Sequence, residues 1–207
     1  MKLENAVQMS RSNEKSLLTY EQLSRSISLS IEDSPIYASF RELPVVRTLR
    51  FKLMHSKKNR KLHCEIEQFC RVYNHFIAVI ERYYRLFKKH PSANRLKMLL
   101  PKLKRTRRFG WMKLLPSQAL QDVVERIDRA YKRFFERRKE GKKTGRPYFK
   151  QSASYKSFTL KQAGWELVGE HSLRIGDFVF KFHKSREIHA EKVKTVTVKR
   201  DKLGDIY

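Results

Sequence analysis

The side chains in this sequence with chemistry to offer are overwhelmingly cations. Arg105, Arg107 and Arg108 close one run, and Arg133, Arg137, Arg138, Lys142, Lys143 and Arg146 make up a second. Guanidinium and ammonium groups at this density suit phosphate. Each contact releases counterions, so such a patch supplies affinity without sequence choice and weakens steeply with salt. The whole chain holds 47 Lys and Arg against 21 Asp and Glu in 207 residues, a formal net charge of +26. Solubility needs far less, and a polyanion is the partner this imbalance calls for. A merely solvated face normally mixes signs, whereas acids are scarce here from residue 45 onward.

The remaining polar groups have two readings each. Ser117, Gln118 and Gln121 sit where a helix is predicted to start. Ser can hold a phosphate there and Gln can hydrogen-bond a base edge; otherwise they are ordinary exposed helix residues. Asn74 lies one step round a helix from an apolar stripe and faces either solvent or nucleic acid, while Tyr73 falls on the stripe and reads as core. The string Gly145-Arg146-Pro147-Tyr148-Phe149-Lys150 is either a turn entering a strand or a clamp. As a clamp, Arg146 and Lys150 would hold an RNA backbone and Tyr148 or Phe149 would stack on a base.

Other chemistries find little support. The seven histidines show no metal-ligand spacing. Cys64 and Cys70, six apart on one predicted helix, face different ways and are expected to be free, reduced thiols. Two-metal phosphodiester cleavage needs several carboxylates converging on ions about 3.5–4 Å apart. Near the end of the sequence only Asp201 and Asp205 offer carboxylates, in a turn that reads as a hairpin connection. Apolar stretches are far shorter than the roughly 20 residues that span a bilayer, and no secretory signal follows Met1, so the expectation is a soluble cytoplasmic protein without a membrane partner.

Periodicity locates the elements that must position these groups. Val45, Arg47, Leu49, Phe51 and Leu53 alternate with Val46, Thr48, Arg50 and Lys52, which predicts a first strand over 45–56. Leu62, Ile66, Phe69, Tyr73, Phe76, Ile80, Tyr83 and Phe87 recur at steps of three and four and predict a helix over about 57–89. A shorter helix around Leu96 to Leu100 should close at Pro101, leaving Lys102 to Arg108 as an exposed loop. Pro116 and Ser117 then open another helix, with Pro in its first turn and Ser as its cap, and Gly141 ends it. After that the period becomes two, with strands predicted at 155–161, 165–168, 173–175, 178–182 and 193–199. Residues 1–44 contain five basic and six acidic residues and nine serines, so they read as a loosely ordered extension with a short helix near Leu17 to Leu23. Setting their net −1 against the chain's +26 leaves +27 on the residues that follow.

The order strand, helices, strands gives the lone first strand a partner only if it joins the later ones. The expected fold is therefore α+β: a β-barrel-like domain over 45–56 and 141–207, carrying a helical, helix-turn-helix-like insertion over 57–140.

Six strings, in order, resemble the amino-terminal half of the TnpB or OrfB proteins of insertion-sequence transposons. They are Arg71-Val72-Tyr73-Asn74, Leu115 to Gln121, Arg129 to Phe135, Gly145 to Lys150, Ser157-Phe158-Thr159-Leu160 and Val193 to Val198. The resemblance implies a wedge barrel with a recognition insertion that grips a guide RNA and reads a transposon-adjacent DNA motif, within a family of RNA-guided DNA endonucleases long labelled transposases. It also implies DNA-motif contacts at the helix opening, Ser117, Gln118 and Gln121, and in the strand holding Phe158 and Thr159. The family's RuvC carboxylates and four-cysteine zinc element have no counterpart in this sequence. The expectation is a binding half that does not cleave by itself, with no cofactor of its own, the divalent metal belonging to the nuclease half. Its partners would be RNA and DNA. Half of a split nuclease completed in trans, a helix-turn-helix regulator and a degenerate transposon remnant remain the alternatives.

Overall fold

The computed structural model describes residues 47–188 and 193–207. Residues 1–44, Val45 and Val46, and with them the helix expected near Leu17, lie outside that range. The unit Leu49–Tyr207 is an α+β structure.

Strand β1 is Lys52–Leu53. Its partners come from the far end of the sequence, as the strand, helices, strands order requires. Lys52 faces His183 and Leu53 faces Phe182 of the antiparallel strand β5, Phe178–His183. The helices lie between. Helix α1 spans Asn59–Phe87 and buries Leu62, Ile66, Phe69, Tyr73, Phe76 and Ile80, the apolar stripe read from the sequence. Lys88 ends it in a left-handed turn at φ 53°.

Helices α2, Ala93–Lys97, and α3, Leu99–Arg105, follow, then a 3₁₀ segment over Arg107–Leu114. This corrects the expectation that Pro101 closes a helix and that Lys102 to Arg108 form a loop. Pro101 sits in the first turn of α3, where its missing N–H is one no helical carbonyl would have accepted. The basic run is thus displayed on helical turns. Helix α4, Ser117–Lys139, starts as expected, but Pro116 takes the capping position and Ser117 is the first helical residue, with no side-chain cap. Its end matches expectation. Gly141 turns left-handed at φ 71°, its N–H bonds to Arg138 O (3.1 Å) and that of Lys142 to Arg137 O (2.9 Å), the paired pattern that closes helices through glycine.

Two antiparallel sheets complete the fold. One runs β1-β5-β4-β3, with β3 at Trp165–Val168 and β4 at Ser172–Ile175; the other pairs β2, Ser157–Leu160, with β6, Val196–Lys199. The final residues lie between them. Tyr207 exchanges backbone bonds with Lys199 (2.7 and 2.8 Å), while Ile206 O accepts from Leu53 N (2.8 Å). Among the described residues no hydrogen-bonded ladder joins β3 to β2, so the strands do not close into a barrel.

The core sits where α1 and α4 cover β2. Phe69 and Phe158, both fully buried, bring their rings to 4.9 Å, and Leu120, Val123 and Ile127 of α4 are buried with them. Beneath β1 and β5, Phe51 and Phe182 meet at 5.1 Å, and Lys61 of α1 sits 3.8 Å above the Phe178 ring. That interaction ties the start of α1 to the four-stranded sheet. Cys64 is exposed and Cys70 buried, and neither is bonded to the other.

Candidate nucleic-acid interface

The segment 142–154 has no regular structure up to the turn that precedes β2, and α1 holds it. Asn74 Oδ1 accepts from Lys150 N and Asn74 Nδ2 donates to Lys150 O, both at 2.8 Å, while Cys70 Sγ, one helical turn away, donates to the same carbonyl at 3.4 Å. Lys150 Nζ lies 4.8 Å above the Tyr73 ring, and Arg146 reaches Glu81 at 3.4 Å. The segment is therefore a strap fixed at its middle. Tyr148 and Phe149, 74% and 51% exposed, stand outward from it.

This geometry gives Asn74 a structural role. Both ends of its amide bond the backbone of Lys150, so Asn74 positions the strap. Asn74→Ala should destabilise the protein by about 1–2 kcal/mol, the net value of two such bonds. It should also speed amide exchange at Lys150 and protease cleavage between 142 and 154, while distant amides stay protected.

The opening of α4 is likewise engaged. Gln118 Oε1 accepts from the backbone N–H groups of Gln162 (2.9 Å) and Ala163 (3.1 Å), capping the turn after β2. Arg126, one face further along, bonds Ser157 O (2.8 Å) and Thr159 Oγ1 (2.6 Å), and Thr159 Oγ1 meets Thr197 Oγ1 at 2.9 Å. Asp122, buried, anchors Arg126 at 2.6 Å. Phe158 is fully buried against Phe69. Phe158 thus lies in the core, unlike the contact role the resemblance implied, while Thr159 is half-buried in a hydroxyl network. Ser117 and Gln121 remain exposed.

Glu125 joins this end of α4 to two other elements, with its oxygens 2.6 Å from Lys97 of α2 and from Lys161. Burial opposes its ionisation, and the hydrogen bonds from Lys161 and Lys97 outweigh it, so the carboxyl is held below the ordinary glutamate range. A carboxyl depressed in the folded state contributes stability above its unfolded pKa, and that contribution is lost as pH falls through the folded value. Glu125→Gln is expected to lower the melting temperature at neutral pH and to change it little below the carboxylate range.

The cations form the exposed part of the candidate interface. Arg105, Arg107 and Arg108 are exposed on α3 and the 3₁₀ segment, and Arg133, Arg137, Arg138, Lys142 and Lys143 on the end of α4 and the start of the strap. Arg133 Nε touches Arg129 O at 3.5 Å, Lys142 pairs with Glu140 at 2.7 Å, and Arg108 stacks over Phe109 at 5.4 Å. Arg105, Arg107, Arg137, Arg138 and Lys143 have no carboxylate partner among the described residues. His75, against Phe109 at 4.5 Å, adds no charge at neutral pH. Burial first, then Arg108 and Arg82, pushes its pKa down.

Both carboxylates near the end of the sequence are turn residues. Asp201 Oδ1 accepts from Leu203 N (2.9 Å) and Asp205 N (2.8 Å), and Asp205 is held by Lys52 at 2.6 Å. The hydrogen bond from Lys52 keeps Asp205 below the usual carboxylate range.

Sequence reasoning missed the connectors Asp122, Glu125 and Arg126. A signal was present: acids in a cation-rich helix, one of them four residues before an arginine, mark places where charge is paired internally. It also missed the cleft between the start of α2 and the later turns of α4, whose histidine lies in the loop before α2 and whose two aromatics lie on α4. Among the described residues no helix is long and apolar enough to cross a membrane. No protein-family model matches the chain, and neither does any curated protein.

Proposed function

We propose that this chain is a nucleic-acid-binding module that grips RNA and DNA backbones, in the manner of the binding half of a TnpB-like protein, and that does not cleave by itself. The observation that carries the reading is the exposed set Arg105, Arg107, Arg137, Arg138 and Lys143, which lacks carboxylate partners among the described residues. Cations left unpaired while Asp122, Asp128 and Glu125 take up neighbouring ones are available to a polyanion. The strap adds two outward aromatics, Tyr148 and Phe149, beside Arg146 and Lys150, a combination suited to unstacked bases.

Support for a wedge-like sheet comes from the pairing series. Strands β3, β4, β5 and β1, the Ile206–Tyr207 segment, β6 and β2 bond one to the next in that order, the connectivity an opened barrel would have.

The test is a titration of the purified chain against fluorescent single-stranded RNA and duplex DNA between about 50 and 200 mM salt. Binding to both polymers is expected, with affinity falling linearly on log–log axes. Failure to bind either at moderate salt would sink the proposal.

A further inference from the structure

The start of α2 and the later turns of α4 line an open cleft of about 510 Å³. Its volume is that of a small-molecule site. Three rings line it: His90 lies 4.5 Å from Tyr131 and 5.8 Å, edge-on, from Phe135. Asn94, Asp128 and Lys132 supply the polar part of the wall.

Two features mark the cleft as more than a packing gap. His90 Nε2 is buried without a hydrogen-bond partner, an arrangement that costs stability unless something else satisfies it. Burial lowers the imidazole pKa against the opposing pull of Asp128, which leaves a neutral ring able to face another flat ring. Phe135, in turn, is 41% exposed, so part of its ring is open to a ligand. Cations are frequent in the neighbouring stretches of chain. Lys88 and Lys89 directly precede His90, Lys132 is largely exposed even while pairing with Asp128 at 3.0 Å, and Arg137 and Arg138 follow Phe135 on α4.

We infer that this cleft is a nucleobase pocket, which takes one unstacked base of a single-stranded nucleic acid against Phe135 and His90 while the flanking cations hold its phosphates. Aromatic walls accept any base face, and Asn94 and Asp128 offer hydrogen bonds to a base edge. A paired base cannot enter, because its edge is already occupied and its faces are stacked. The site therefore separates single strands from duplexes, which the phosphate contacts alone do not. The inference rests on the proposed nucleic-acid binding.

The experiment compares wild type, Phe135→Ala and Phe135→Trp for binding to a fluorescent single-stranded oligouridylate and to a blunt DNA duplex of equal length. Phe135→Ala should weaken single-strand binding about 5- to 100-fold, the range for removing one stacked base, with duplex affinity and salt slope unchanged. Phe135→Trp should retain wild-type binding, and unchanged far-UV circular dichroism would show that both variants fold. If wild type binds both polymers and Phe135→Ala binds the single strand as tightly, or weakens on both equally, the pocket is wrong and the backbone grip stands. If wild type binds neither, both proposals fall together.

Discussion

Phe158→Ala is expected to lower the free energy of unfolding by about 3–5 kcal/mol, the usual result of emptying a fully buried aromatic site. Phe158 is 0% exposed, faces Val198 across the β2–β6 ladder and packs its ring on Phe69. Its removal opens a void between α1 and the smaller sheet that rigid helix backbone cannot fill. Against a typical total of about 5–15 kcal/mol, the loss leaves a protein folded only marginally. Urea denaturation measures it directly. The informative second half is binding: under conditions where the variant remains folded, its affinity for RNA and duplex DNA should match the parent's. A residue touching DNA would behave the opposite way, with little change in stability and a marked fall in DNA affinity, and that result would return Phe158 to the interface.

The second large effect concerns the cations at the end of α4. Replacing Arg137, Arg138 and Lys143 together by Ala should weaken binding to every nucleic acid without preference. The slope of log affinity against log salt should shrink by about 0.9 for each duplex phosphate no longer neutralised, so by about 2–3 in all. Stability should move little, since all three side chains are exposed; the two arginines contribute only the modest favourable interaction of cations with a helix carboxyl end. A triple variant with an unchanged slope would show that the backbone runs elsewhere, with Arg105 and Arg107 the next residues to replace.

What could be read from the sequence depended on whether a signal was local. The stripe from Leu62 to Phe87 repeats within a few residues, so α1 was legible to within two residues at each end. Gly141 announced the end of α4 for the same reason. The alternating runs located β2 through β6, though their edges moved because a strand ends where its partner ends: Val193 to Thr195 lie outside β6, which pairs with the four residues of β2. Pro101 misled because proline stops a helix in its interior but is tolerated in its first turn, and nothing local distinguishes the two. The site was legible as charge and illegible as geometry. Arg137 and Arg138 could be placed on a helix end by composition, whereas the role of Asn74 was set by Lys150, 76 positions away. Phe158 likewise carries no mark in its own strand of which face α1 and α4 will cover.

Strand β1 also has a consequence for the order in which the molecule assembles. Lys52 meets Asp205 across 153 positions of chain, and Leu53 faces Phe182 on one side and bonds to Ile206 on the other. Such closures carry a conformational cost that grows with the loop and slow the search for the native state, whereas helices form from neighbours within microseconds. The helices α1 to α4, with their cations in place, are therefore expected to stand before the sheets close.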